Sequence, residues 1–125
     1  MAHVPEGLRY TTSHEWISEQ GGTYTIGLTD YAQDALGDLV FVNLPQEGDR
    51  VTAGETLCDV ESVKAVSDVF SPVTGTVSEV NEALADSPEM INETPYEAWI
   101  ARIEGVSEVE DFLDAAAYVA FCEKE

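Results

Sequence analysis

The stretch Val60-Glu61-Ser62-Val63-Lys64-Ala65-Val66 decides how this chain reads. It sets a lysine between two short runs, Thr56-Leu57-Cys58-Asp59-Val60 and Val66 to Phe70, whose composition is that of β-strands. Only two of the 125 residues are lysines, and the other, Lys124, is penultimate. An isolated lysine is usually a solvated surface residue. Here the flanking Val63, Ala65 and Val66 are small or apolar, unlike an ordinary charged surface. A tight turn between strands would project Lys64 away from the body. Its flexible four-carbon stem makes the amine suitable for an amide-linked prosthetic arm. The hairpin reads as a device for presenting an attachment point.

The flanks of the hairpin are strand-rich. Leu8-Arg9-Tyr10 and Glu15-Trp16-Ile17-Ser18 read as short strands, and Gln20-Gly21-Gly22 turns into the alternating Thr23-Tyr24-Thr25-Ile26-Gly27-Leu28. Asp30-Tyr31-Ala32-Gln33 has capping-box spacing with Gly37 beyond it, which predicts one short helix over about 30–36. Leu39 to Val42 and Thr76 to Val80 are further strands, with turns at Pro45 to Asp49, Gly54-Glu55 and Ser71 to Gly75. Asn81 to Pro95 reads as a loop with at most one irregular turn, and Trp99 to Ile103 as a last strand. Ser107-Glu108-Val109-Glu110 has the spacing of a capping box and predicts a helical segment over 107–122, restarted at Asp114. Gly37-Asp38-Leu39-Val40-Phe41-Val42-Asn43 repeats loosely as Gly75-Thr76-Val77-Ser78-Glu79-Val80-Asn81, with the lysine hairpin between the halves. The expectation is a mainly β domain in which two antiparallel sheets bury their apolar faces against each other.

Charge excludes several function classes. Twenty-five acidic residues against five basic ones give a formal net charge of −20. Phosphate backbones and anionic membranes demand lysine and arginine, so neither nucleic acid nor a membrane is an expected partner. Basic protein faces are. Cys58 and Cys122 form no framework, and Cys58 sits in an apolar run as a small core residue. His3 and His14 are far apart with no set of metal-ligand spacing around them, and no serine has an evident base partner. No secretory signal and no apolar run of membrane-spanning length is present in the stretch given. The cytoplasm of a prokaryote is the default setting, with a mature mitochondrial chain as the other.

Val60-Glu61-Ser62-Val63-Lys64-Ala65-Val66-Ser67-Asp68 resembles the lipoylation segment of the glycine cleavage system H-protein family. The resemblance extends to Ser13-His14-Glu15-Trp16, Ile26 to Gln33, Leu36 to Val42, Ser71 to Gly75 and Val80-Asn81, and so covers nearly the whole chain. It implies a single lipoyl-type domain of the barrel-sandwich hybrid kind over 1–125. The core would span about 23–104, with N-terminal strands over 8–18 and the helical segment after it. Lys64 would carry lipoate in amide linkage, attached by a lipoate ligase or lipoyl transferase, with Glu61, Ser62, Val63 and Ala65 as the hairpin context. The protein would be a monomeric carrier and not an enzyme. Its arm would take the aminomethyl group of glycine from a pyridoxal-phosphate decarboxylase (P protein) to an aminomethyltransferase (T protein). A flavin dehydrogenase (L protein) would re-oxidise the dithiol. By matching positions, Ser13, Glu15 and Asp68 would receive the loaded methylamine arm. The segment Pro95-Tyr96-Glu97-Ala98-Trp99 is shorter than the family pattern and lacks its glycine. A lipoate donor to other lipoyl domains, a 2-oxo acid dehydrogenase lipoyl domain and an unmodified acidic interaction module are the competing readings.

Overall fold

A computed structural model describes residues 3–124; Met1, Ala2 and Glu125, at the ends of the expected 1–125 domain, lie outside the described residues. The elements in chain order are β1 (Arg9–Tyr10), β2 (Glu15–Gln20), β3 (Thr23–Leu28), α1 (Asp30–Leu36), β4 (Leu39–Asn43), β5 (Arg50–Val51), β6 (Thr56–Ser62), β7 (Val66–Phe70), β8 (Val73–Val80), α2 (Ala83–Asp86), α3 (Met90–Glu93), β9 (Ala101–Val109) and α4 (Ala115–Glu123). Six strands form one antiparallel sheet in the order β1-β2-β3-β9-β8-β5, and β4-β6-β7 form a second. Alternation on each strand sends one face inward. Ile26, Val73, Val77 and Ile103 of the large sheet meet Val42, Val60 and Val69 of the small one in a shared core. Fully burying such side chains is worth about 1.5–3 kcal/mol each, which makes this interface the main source of cohesion. Cys58 is buried in it, as expected, and burial pushes its thiol up to about 12.

A second cluster lies under the C-terminal helix. Tyr10, Trp16 and Tyr118 are its buried members, and the Tyr10 and Tyr118 rings stack with centroids 4.7 Å apart. Burial raises the phenols of both tyrosines above the ordinary range. The Tyr10 hydroxyl donates to the Pro5 carbonyl.

The structure departs from the sequence expectation at three places in these elements. Residues 107–109 are strand, because β9 runs on to pair Glu108 with Thr74 and Val109 with Val73. The helix begins only after Asp114, whose carboxylate accepts from the Ala117 N–H at 2.8 Å. Long-range ladder pairing therefore overrides a local capping pattern. Second, 81–95 holds two single-turn helices, α2 and α3, each pinned by one fully buried residue, Leu84 and Ile91. Third, the cap of α1 is Thr29, one residue earlier than the capping box places it; its hydroxyl accepts from the Ala32 N–H at 3.1 Å. The two strands of the internal repeat lie in different sheets, β4 in the small one and β8 in the large one. Their glycines serve different ends. Gly37 has φ +82 and closes α1, while a Cβ at Gly75 would sit 2.7 Å from the Glu104 carbonyl oxygen.

Gly27 lies directly across from Trp16 in the β2–β3 ladder. A Cβ there would fall 2.5 Å from the indole Nε1, which donates to the Pro95 carbonyl at 3.0 Å. Replacing Gly27 by alanine is expected to push the indole off that carbonyl and cost about 1–3 kcal/mol, as overpacking does. A urea midpoint unchanged in Gly27→Ala would show that the contact gives way freely.

Candidate functional site

Lys64 sits in the turn between β6 and β7, and Ser62 builds that turn. The Ser62 N–H donates to the Ala65 carbonyl at 2.8 Å, and its hydroxyl accepts from the N–H groups of Lys64 and Ala65 at 3.2 and 3.1 Å. A serine that caps its own turn in this way leaves no loose loop. The Val63 N–H donates to the Asp38 carbonyl at 3.0 Å, which ties the turn to the start of β4. Glu61 is paired with Phe41 on one side and Val66 on the other. The hairpin is a rigid root.

The lysine side chain is exposed but is not projected away from the body. Its Nζ donates to the Ala35 carbonyl at 3.1 Å. That carbonyl belongs to the last turn of α1, where oxygens without helical partners and the negative end of the helix dipole attract a cation. Gly37 leaves the stem room, since a Cβ there would be 3.0 Å from Lys64 Cε.

Beside the lysine, a cleft of about 180 Å³ opens between α1 and the small sheet, lined by Ala32, Ala35 and Leu36 on one side and Val60, Ser67, Asp68 and Val69 on the other. Ser13, His14 and Leu28 complete it. Of the three residues expected to receive an arm, Ser13 and Asp68 line this cleft and Glu15 does not. Glu15 is 1% exposed and lies one hydroxyl behind it. Its Oε1 accepts from the hydroxyls of Thr11 and Ser13, each at 2.6 Å, and its Oε2 from the Phe70 N–H at 3.4 Å. Burial raises the Glu15 carboxyl above the ordinary value, and the hydroxyl and amide donors only partly offset that.

Sequence reasoning missed the residues that hold the cleft walls. His14 adopts φ 70, a region rare for a residue with a side chain. Its Nδ1 is 2.6 Å from the Tyr118 hydroxyl, which in turn lies 2.7 Å from Thr29 Oγ1. One phenol therefore joins α4, the cleft loop and the cap of α1. At the other end of α1, the Asn92 side chain donates to the Gly37 carbonyl at 2.9 Å and the Gln33 side chain at 3.0 Å, and accepts from the Leu39 N–H at 2.9 Å. Asn92 stands in the segment read as a loop. A lone asparagine there carried no signal. The short Pro95 to Trp99 segment is anchored as well: the Tyr96 hydroxyl donates to the His3 carbonyl at 2.6 Å and accepts from the Asp30 N–H at 3.1 Å.

A family model described as glycine cleavage H-protein matches residues 8–125. The chain belongs to that family. The H protein of Lachnoclostridium phytofermentans is 60% identical over 123 residues, covering 98% of this chain and 97% of that one. The probable H protein of Pyrococcus furiosus is 55% identical over 94% of this chain and 91% of its own. The crystal structure of an H protein from Mycobacterium marinum superposes with a TM-score of 0.90 at 39% identity, covering 96% of this chain and 99% of that one. H proteins are the lipoyl carriers of the glycine cleavage system, carrier components of a multienzyme set, and the mainly β two-sheet fold found here is theirs. Among the described residues no helix is long and apolar enough to cross a membrane.

The buried carboxyl of Glu15 makes a test of this geometry. A carboxyl raised in the folded state favours folding fully below its unfolded value, near 4.5, and loses that contribution as pH rises through the folded one. Glutamine keeps an acceptor for Thr11 and Ser13 without the charge. The difference in melting temperature, Glu15→Gln minus wild type, is therefore expected to grow in favour of the variant between about pH 4 and about pH 7. Parallel pH profiles for the two proteins would remove the buried carboxylate from the account.

Proposed function

We propose that Lys64 carries lipoate in amide linkage and that the protein ferries the aminomethyl group of glycine on that arm. The observation that supports this best is the pairing of a rigidly rooted, exposed amine with a cleft directly beside it. A flexible arm needs a fixed root and a place to rest, and the Ser62-capped turn and the α1–β7 cleft supply them. The residues present fit the group. The Lys64 amine is accessible for acylation, and the cleft has apolar walls (Leu28, Leu36, Val60, Val69) with polar groups at Ser13 and Asp68. When bound, lipoate supplies a disulfide that is reduced as it accepts the aminomethyl carbon and re-oxidised later.

The chain's own residues bind and guard. Acylation removes the charge on Nζ and two of its three donors, weakening its hold on the end of α1 and freeing the stem to move. Asp68 lies on the cleft rim with a carboxylate to face a protonated methylamine. Ser13 presents a hydroxyl held by Glu15 from behind. Glu15 thus acts as a positioning residue, fixing Ser13 and adding negative potential through a dry layer where charge interactions are strong. Apolar walls keep water from the loaded carbon.

The expected partners are the decarboxylase that loads the arm, the aminomethyltransferase that unloads it, the dehydrogenase that re-oxidises it, and a ligase or transferase that attaches it. The bacterial and archaeal relatives support a cytoplasmic setting. Glu61, Val63 and Ala65, with Ser62, form the surface an attaching enzyme would read around Lys64.

Co-expression with a lipoate ligase is expected to add one lipoyl group by intact mass, and Lys64→Arg to abolish the addition while leaving the melting temperature unchanged. An adduct on Lys124, or none on wild type, would overturn the reading. For the guard, Glu15→Ala is expected to speed methylamine loss from the loaded protein about tenfold, the equivalent of one hydrogen bond near a charge. An unchanged release rate would take Glu15 out of the site.

A further inference from the structure

The hairpin has a second side. Register places Phe41, Glu61 and Val66 in one row across β4, β6 and β7, and residues in register project to the same face of a sheet. The adjacent row is Val42, Val60 and Ser67. Val42 and Val60 are buried in the core, and Val60 and Ser67 line the cleft. Successive residues alternate between faces, so the Phe41 row looks out of the opposite side, away from the cleft.

That outer side is unusually apolar for so acidic a chain. Phe41 is 44% exposed and Val66 64%, and Val40, extruded at the β4 bulge, is 54% exposed. Two strand spacings bring the Phe41 and Val66 backbones within about 10 Å of each other. Val63, 68% exposed, is drawn alongside by its bond to Asp38 at the head of β4. Single exposed hydrophobic residues are ordinary; several large ones on one sheet end mark an interaction surface. Carboxylates bound the patch: Glu61 lies within the row, and Asp59 follows in the next outward one, with Asn43 donating to it.

We propose that this outer face, on the far side of the sheet from the cleft, is where an arm-handling protein docks, through an apolar pocket ringed by lysine or arginine. The proposal rests on the carrier reading. Charge selects the occupant. A second copy of this chain would bring Asp59 and Glu61 against themselves across a two-fold axis, with −20 on each partner. A basic partner instead gains from every one of those carboxylates, and apolar anchors supply the contact that salt does not screen. The geometry also separates two tasks that a single face would confuse. A partner seated on Val40, Phe41 and Val66 grips the root of the arm and leaves the cleft uncovered, so the arm can leave its resting place with the partner already bound.

The test uses the lipoylated chain and the glycine decarboxylase as probe. A Val40→Ser/Phe41→Ser double variant, its fold checked by circular dichroism, is expected to raise KM for the carrier about tenfold with kcat unchanged. Reduction of its lipoyl disulfide by a phosphine should proceed at the wild-type rate, since the arm and cleft are untouched. Asp59→Asn is expected to flatten the rise of KM with salt. An unchanged KM in the folded double variant overturns the docking face while leaving the carrier reading intact. So does a wild-type dimer in sedimentation that the double variant dissolves. A wild-type lipoylated chain that the decarboxylase does not load overturns both.

Discussion

Helix α1 is clamped at both ends, and the site depends on that clamp. One wall of the cleft is α1, and so is the carbonyl that meets the Lys64 amine. A seven-residue helix has little stability of its own in water, because two turns barely repay the cost of nucleation. Its position comes from side chains elsewhere. At its start, the Tyr118 hydroxyl bridges Thr29 and His14. At its end, Asn92 gathers Gln33, Gly37 and Leu39 in three hydrogen bonds. The elements bearing those clamps, α4 and α3, are additions to a two-sheet sandwich. Each also buries apolar surface, Ile91 of α3 in the shared core and Tyr118 of α4 beside Tyr10 and Trp16.

This explains what was legible in the sequence and what was not. Strands were legible because alternation is local: Thr23–Leu28 and Val66–Phe70 could be read from composition, and the Lys64 turn from what flanks it. The helix over 30–36 was legible from Gly37 and the spacing before it, though its cap was not, since Thr29 and Asp30 are both good caps. The strand character of 107–109 was hidden because β8 supplies it from thirty or so residues away, whereas the competing capping pattern is contiguous. Tyr118 and Asn92 were illegible for the same reason. Their roles exist only after the chain has brought residues 104 and 53 positions apart into contact. Lys64 stood out by rarity. The proposal that it is acylated came from the family resemblance, and no amount of spacing would have supplied it.

The carboxylates of this chain divide into two populations with opposite physics. Most are solvated and act together as a long-range field, felt by partners and damped by salt. Glu15 is the reverse, a charge removed from water and held by two hydroxyls at 2.6 Å. A buried carboxyl with a raised titration point is retained against its own solvation, and such groups concentrate where function needs them. The φ of 70 at His14, its neighbour, is a second local cost in the same short loop.

Both costs fall on the segment that turns Ser13 toward the cleft, and this links the two faces of the small sheet into one mechanism. A carrier must hold its cargo firmly in transit and surrender it on contact. A strained loop and a buried carboxylate can supply the first property, because they are fixed from behind by Thr11, Tyr118 and the core. They cannot supply the second. Release needs a signal at the root of the arm that does not disturb the guard, and the root is the capped turn shared by both faces. Contact on the Phe41 side reaches Lys64 through Glu61, Val66 and the Val63–Asp38 bond. The weak point in that path is the end of α1. There, the proposed acylation would reduce three donors to one, so that a small pull on the turn would be enough to lift the stem off the Ala35 carbonyl.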